Sequence, residues 1–122
     1  MKVILADDEN EIREPLSAVF KAKGAEVREF GDGRSALDSA LSRPPDLIIL
    51  DVMMPKMSGW DACRELKTNE KTKDIPVIIL TARTKDMDEL MTAEAGADLY
   101  LKKPFNPLEV YAEAQKLLGG KQ

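Results

Sequence analysis

Apolar residues along this chain follow two alternating patterns. Some form short unbroken runs, and others recur every three or four positions. Val3 to Ala6, Leu47 to Leu50 and Val77 to Leu80 are unbroken runs without in-out alternation, as expected of strands covered on both faces. Ala25 to Phe30 alternates, with Val27 beside Arg28, and reads as a more exposed edge strand; Ala97 to Lys102 is a fifth strand. Helical spacing fills the intervals. Glu9 to Lys23 carries Ile12, Leu16, Val19 and Phe20 and stops at Gly24. Pro15 falls inside that helix and is read as tolerable because it lies near the first turn. After the Gly31-Asp32-Gly33 turn, Ala36, Leu37, Ala40 and Leu41 mark a second helix, which Arg43-Pro44-Pro45 breaks. Ser58 can cap a third, bearing Trp60, Cys63 and Leu66, and the polar stretch Thr68 to Asp74 is a loop. Lys85 to Ala95, closed by Gly96, is the fourth helix. Asn106 to Leu118 is the fifth, with Leu108, Tyr111, Ala112, Gln115 and Leu118 in helical register.

Five strands alternating with five helices require parallel pairing through right-handed crossovers, so the expected fold is a three-layer, doubly wound α/β sandwich. Strand order 2-1-3-4-5 suits a chain whose second strand is edge-like. One domain over residues 1–118 is expected, with 119–122 as a tail or the start of a linker.

Composition narrows the function. Apolar content of 43% with 33% charged residues belongs to a folded, water-exposed domain, and a net charge of −4 argues against a nucleic-acid-binding face. Val3 to Ala6 is too short for a signal peptide or a membrane span, and a single cysteine, Cys63, suits a reducing compartment, so a cytoplasmic protein is expected. The chain has no histidine. Imidazole catalysis and histidine metal ligands are therefore excluded, leaving oxygen ligands and a hard cation.

In a sheet of this kind all strand carboxyl ends face one crevice, where ligands bind. Asp7 and Asp8 end the first strand, Asp51 the third, Thr81 the fourth, and Lys103 follows the fifth. Singly, each has an ordinary reading: Asp7, Asp8 and Thr81 as helix caps, Asp51 as a turn former, Lys103 as a surface lysine. Gathered at one edge, three carboxylates repel, and a divalent cation relieves them. Magnesium favours few carboxylates, water and an incoming phosphate, and an aspartate can itself accept a phosphoryl group.

With these residues in view, the sequence resembles the response-regulator receiver domains of two-component signalling over essentially its whole length. The matching residues are Asp7-Asp8-Glu9, Asp51 within Leu-Asp-Val-Met-Met-Pro, Gly59, Thr81-Ala82, Gly96-Ala97-Asp98 and Lys103-Pro104-Phe105. The resemblance implies a flavodoxin-like sheet and a phosphoacceptor at Asp51. It implies magnesium held by Asp8, Asp51 and the Met53 carbonyl, with Asp7 supporting through water. Lys103 would pair with the phosphoryl group and Thr81 would bond one of its oxygens. It also implies a cis peptide at Lys103-Pro104, and an aromatic switch at Tyr100, whose ordinary reading is edge packing. The implied donor is a sensor histidine kinase or histidine phosphotransfer protein, and the output a changed surface of the fourth helix, fifth strand and fifth helix that meets a downstream protein or effector domain.

The resemblance extends to the winged-helix transcription-factor branch of that family. Leu99 and Glu113 stand where that branch usually has dimer-forming charges, so a monomer or weak dimer is expected. In that family the residues two beyond the phosphoacceptor and the Thr flank the approach of a hydrolytic water, which the resemblance implies for Met53 and Arg83 here. Neither orients water well, and slow self-dephosphorylation follows. The domain would thus catalyse only its own phosphotransfer and hydrolysis and would not be an enzyme. Two other functions fit the pattern less closely. A phosphate-independent interaction module of receiver fold typically lacks an acid, the Thr or the Lys, and all are present here. A phosphohydrolase of the haloacid-dehalogenase kind usually has an acid two residues after its nucleophile, where this chain has Met53.

Overall fold

The computed structural model describes residues 1–82 and 94–119. Strands β1 (Lys2–Ala6), β2 (Glu26–Phe30), β3 (Leu47–Asp51), β4 (Val77–Thr81) and β5 (Leu99–Lys102) form one sheet in the order β2-β1-β3-β4-β5, and every neighbouring pair is parallel. The expected three-layer α/β fold and strand order are observed. Helices α1 (Asn10–Ala22), α2 (Gly33–Ser42) and α3 (Gly59–Thr68) precede a C-terminal helix, Pro107–Gly119. Most of the fourth helix expected over Lys85 to Ala95 lies outside the described residues; Glu94 and Ala95, at its end, are helical.

Alternation along the strands divides the interior into two layers. Val3, Leu5, Ile49, Ile78 and Leu80 pack against Leu16 and Phe20 of α1 and Val110 and Ala114 of the C-terminal helix. Ile4, Ala6, Ile48, Leu50 and Ile79 pack against Ala36, Leu37 and Ala40 of α2 and Trp60, Cys63 and Leu66 of α3. β1, β3 and β4 are covered on both faces, which explains their lack of alternation, whereas β2 at the edge is largely half-exposed. Each fully buried side chain of the size of Leu16 or Phe20 contributes about 1.5–3 kcal/mol by leaving water.

Helix starts follow the expected chemistry. Ser58 Oγ accepts from the Asp61 N–H at 3.1 Å, and Asp32 Oδ1 accepts from the Ser35 N–H at 2.7 Å. Three readings require correction. The last helix buries Val110 and Ala114, while Leu108 is 57% exposed and Ala112 and Gln115 face solvent. Both rows have helical spacing, and the edge-to-face contact of Phe20 with Tyr111, centroids 5.2 Å apart, accompanies docking on the Val110 row. That helix also includes Gly119, which was expected in the tail. Pro15 is the sixth residue of α1, beyond the first turn. It removes the N–H that would bond the Glu11 carbonyl, and because both residues are exposed, water can take that bond.

Gly96-Ala97-Asp98 has a structural task. Asp98 Oδ2 accepts from Lys67 Nζ at 2.7 Å and from the Val77 N–H at 2.8 Å, while the same ammonium donates to the Ile75 carbonyl at 2.7 Å. Gly96, at φ +82°, lets the chain turn over the Lys67 stem. Lys67→Met is expected to lower unfolding stability by about 1–3 kcal/mol in urea titrations, because a part-buried carboxylate and carbonyl lose their shared donor.

Candidate functional site

At the carboxyl edge of the sheet, Ala6 of β1 lies opposite Leu50 of β3, so Asp7 and Asp51 leave the core side by side. Asp7 is fixed by its backbone: its N–H donates to the Phe30 carbonyl at 3.0 Å, and its own carbonyl accepts from Arg13 Nη1 at 2.5 Å. Its Oδ1 accepts from the Glu9 N–H at 2.9 Å. That bond reaches the residue before α1 and not a helical N–H, so the capping role available to Asp7 from the sequence is not realised, and a second carboxylate oxygen remains. Asp7 Oδ2 is buried without a hydrogen bond, its nearest cation being Lys103 Nζ at 3.3 Å.

Asp51 ends β3 at 3% exposure, and the Val52 N–H just beyond it is tied to the Leu80 carbonyl at 3.0 Å. Thr81, also buried, ends the adjacent strand, and its carbonyl accepts from the Lys103 N–H at 2.7 Å. Lys103, followed by the cis peptide to Pro104 that was expected, places Nζ 3.0 Å from Asp51 Oδ1 and 3.5 Å from Glu9 Oε1. Asp7, Asp8, Glu9 and Asp51 each offer an oxygen within 4.8 Å of the others, Asp8 and Glu9 being exposed to solvent.

Among the described residues, one ammonium among four carboxylates leaves the cluster short of positive charge. The Asp51 carboxyl is pushed up to about 6, chiefly by burial and further by Asp7 and Asp8, with Lys103 opposing the rise. Asp7 is likewise raised by burial, against the Glu9 amide and Lys103. Burial alone would lower the Lys103 ammonium, but Asp51 and Asp7 hold it above its ordinary value. Hard oxygen donors, a buried orphan oxygen and excess negative charge fit a divalent cation such as Mg2+.

The structure therefore brings together Asp7, Asp8, Asp51, Thr81 and Lys103. Met53, two residues beyond Asp51 in the chain, is 67% exposed. Tyr100 is paired in register with Ile79 and packs, half-buried, on the α2–α3 side of the sheet, the side toward which Thr81 also alternates. Arg83 lies outside the described residues. Glu9 is the site residue to which the sequence reading assigned no role. Its signal was adjacency: a third acid directly after two others at a strand end.

Comparison with known proteins agrees with this geometry. Residues 3–115 match the family model of the response regulator receiver domain. The DNA-binding response regulator MtrA of Mycobacterium leprae is 36% identical over 96% of this chain and 51% of its own length. The alkaline phosphatase synthesis transcriptional regulatory protein PhoP of Bacillus subtilis is 38% identical over 96% of this chain and 48% of its own. The chain spans about half the length of the curated relatives it matches. Among solved structures, the chemotaxis response regulator CheY4 of Vibrio cholerae superposes with a TM-score of 0.88 at 34% identity, covering 94% of this chain and 96% of that one. The receiver domain of the sensor histidine kinase PA1611 from Pseudomonas aeruginosa has a TM-score of 0.88 at 30% identity over 97% of both chains. It was solved with a magnesium ion in its active-site cleft. Among the described residues of the present chain, no helix is long and apolar enough to cross a membrane.

Proposed function

Since the chain belongs to the response-regulator receiver family, as its match over residues 3–115 shows, we propose that it is a phosphorylation-dependent switch. Asp51 accepts a phosphoryl group from a histidine kinase or histidine phosphotransfer protein. The observation that carries this reading is the placement of Lys103 Nζ 3.0 Å from the Asp51 carboxylate, within a cluster of acids that one ammonium does not neutralise. Asp8, Asp51 and the Met53 carbonyl would hold Mg2+, with Asp7 supporting it through water. When bound, the ion supplies charge neutralisation for the anionic phosphoryl oxygens.

The residues of the chain supply the rest. An Asp51 oxygen attacks phosphorus, the bond from phosphorus to the donor nitrogen breaks, and the leaving imidazole departs with its electron pair. The Lys103 ammonium pairs with a phosphoryl oxygen, and the Thr81 hydroxyl donates to another. Beside Lys103 lies a groove of about 490 Å³ lined by Ile12, Pro15, Ala82, Pro104 and Phe105. Its apolar collar suits a docked donor protein that keeps water from the acyl phosphate. As Thr81 moves toward the phosphoryl group, Tyr100 gains room to turn inward, altering the surface of the fourth helix, β5 and the C-terminal helix. That surface meets a downstream protein or effector domain, with the domain itself cytoplasmic and monomeric or weakly dimeric.

Incubation with a small acyl phosphate and Mg2+ is expected to add one phosphoryl group, seen by mass spectrometry. Asp51→Asn or EDTA should each remove it. An unchanged rate in EDTA would contradict the metal assignment, and a phosphorylated Asp51→Asn protein would contradict the acceptor.

Self-dephosphorylation is proposed to be slow, because the exposed thioether of Met53 offers no strong hydrogen bond to an attacking water. Met53→Asn with Arg83→Glu is expected to accelerate hydrolysis about tenfold, equivalent to about 1–2 kcal/mol of barrier. Loss of phosphate at the parent's rate in the double variant would free these positions of any gating role.

A further inference from the structure

Two glycines approach the segment between β3 and α3 so closely that no side chain fits. A Cβ on Gly59 would lie 2.1 Å from the Asp51 carbonyl oxygen, and one on Gly33 would lie 2.1 Å from the Met57 carbonyl oxygen and 2.8 Å from its carbon. Side-chain carbons essentially never come within 3.0 Å of such atoms. Both contacts are with backbone, so no rotamer change relieves them. Gly59 holds the segment at its own base, where its N–H donates to the Val52 carbonyl at 3.0 Å. Gly33 holds it from a different element, the first turn of α2.

The segment between these contacts is tightly wound. The Met57 N–H donates to the Pro55 carbonyl at 2.7 Å, and Lys56 takes a left-handed φ of +67°, unusual for a lysine. The start of α2 is itself anchored, with Asp32 accepting from the Ser35 N–H at 2.7 Å and from the Ser35 hydroxyl at 2.9 Å. Gly33 does not have a positive φ, unlike Gly24 and Gly96, so its position calls for the absence of a side chain and not for backbone freedom. Helix propensity alone would favour alanine there.

We propose that Gly33 is a positioning residue for the metal-binding loop: the bare first turn of α2 abuts the Met57 carbonyl and so fixes the loop that carries Met53 beside Asp51. This inference rests on the metal reading of the site. A Cβ at Gly33 must push Met57 outward or α2 backward, and either displacement loosens the loop bearing Met53, four residues from the point of contact.

The test separates affinity for Mg2+ from global stability. Urea unfolding is followed by emission of Trp60, the single tryptophan, with EDTA or with graded MgCl2. Gly33→Ala is expected to unfold cooperatively in EDTA yet to need at least tenfold more Mg2+ than the parent for the same rise in midpoint. Adding Lys56→Gly, which lets the strained turn yield, should recover most of that loss. Lys67→Met, at the C-terminal end of α3, should lower the midpoint in EDTA while leaving the Mg2+ dependence at the parent's value. A Gly33→Ala protein with the parent's Mg2+ dependence overturns the inference alone; a parent that gains nothing from Mg2+ overturns the metal reading with it. Should Gly33→Ala fail to fold, Asp32→Ala loosens the same abutment without added atoms. A several-fold loss of Mg2+ affinity there supports the proposal, and unchanged affinity refutes it.

Discussion

In metal-free buffer at pH 8, Asp51→Asn is expected to make the protein more stable by about 1–3 kcal/mol, although it deletes a partner of Lys103. Asp51 is 3% exposed, and its carboxyl titrates at about 6 in the folded state, against an ordinary value of 3.8. A carboxyl whose folded value is raised favours folding at low pH, and that contribution is lost as pH rises through about 6. The displacement from 3.8 to about 6 corresponds to about 3 kcal/mol of instability once the group is ionised. Asparagine removes that charge. Part of the gain is returned because Lys103 loses its 3.0 Å contact, keeping Asp7 at 3.3 Å and Glu9 at 3.5 Å. The difference should shrink as pH falls below about 6 and close fully only below the ordinary value of 3.8, so that at pH 5 about half of it remains. Magnesium should reverse the order at pH 8. A ligand at a hundred times its dissociation constant stabilises by about 2.7 kcal/mol, and the variant, short of one carboxylate, should gain far less. Urea titrations at pH 5 and 8, with EDTA or Mg2+, read all four conditions. An Asn variant less stable than the parent at pH 8 in EDTA would show that the cluster is not frustrated by its own charge.

The same physics determines which features were legible in the sequence. β1, β3 and β4 could be read because a strand covered on both faces has no room for a polar residue, and Asp7, Asp51 and Thr81 appear where that covering ends. Parallel pairing then requires those ends to share one edge, so the cluster follows from topology without knowledge of any distance. Lys103 could be placed by the same reasoning. Its sharing among three carboxylates could not, because that depends on the path taken after β5 through the Lys103-Pro104 bend. The C-terminal helix was misread for a different reason. Leu108, Ala112 and Gln115 form one helical row and Val110, Ala114 and Leu117 another, and the shape left between Phe20 and the sheet selects the second, with Tyr111 of the expected register packing against Phe20 as well. Gly33 was legible as a turn residue, but its contact with Met57 is a long-range approach of the start of α2 to a loop that no local pattern encodes.

Lys103→Met should have the opposite effect, with a loss of about 3 kcal/mol in metal-free buffer at pH 8, because it leaves buried carboxylates without their cation. The ammonium stem is 11% exposed, and its partners Asp51 and Asp7 are 4% and 0% exposed at their side chains, so solvent screens these contacts little. Methionine preserves most of the stem's volume, so the cost is one of charge and not of packing. Without the ammonium, Asp51 and Asp7, both already raised by burial, move further up. The loss should therefore shrink as pH falls toward 5 and those carboxyls take up protons. Mg2+ should stabilise the variant more than the parent, since the ion no longer competes with an ammonium for the same oxygens. Phosphotransfer should nevertheless slow by about ten- to a hundredfold even in saturating Mg2+, about 1–3 kcal/mol of barrier, because the positive charge proposed to pair with the transferring group is gone. Lys103→Arg separates the two roles. A guanidinium keeps the charge and should recover most of the stability, but its planar fork cannot reproduce the point contact of Nζ with Asp51, and the rate should recover only in part. Equal metal-free stability of Lys103→Met and parent at pH 8 would mean that the acids are held apart by the backbone alone, with Lys103 a spectator until phosphate arrives.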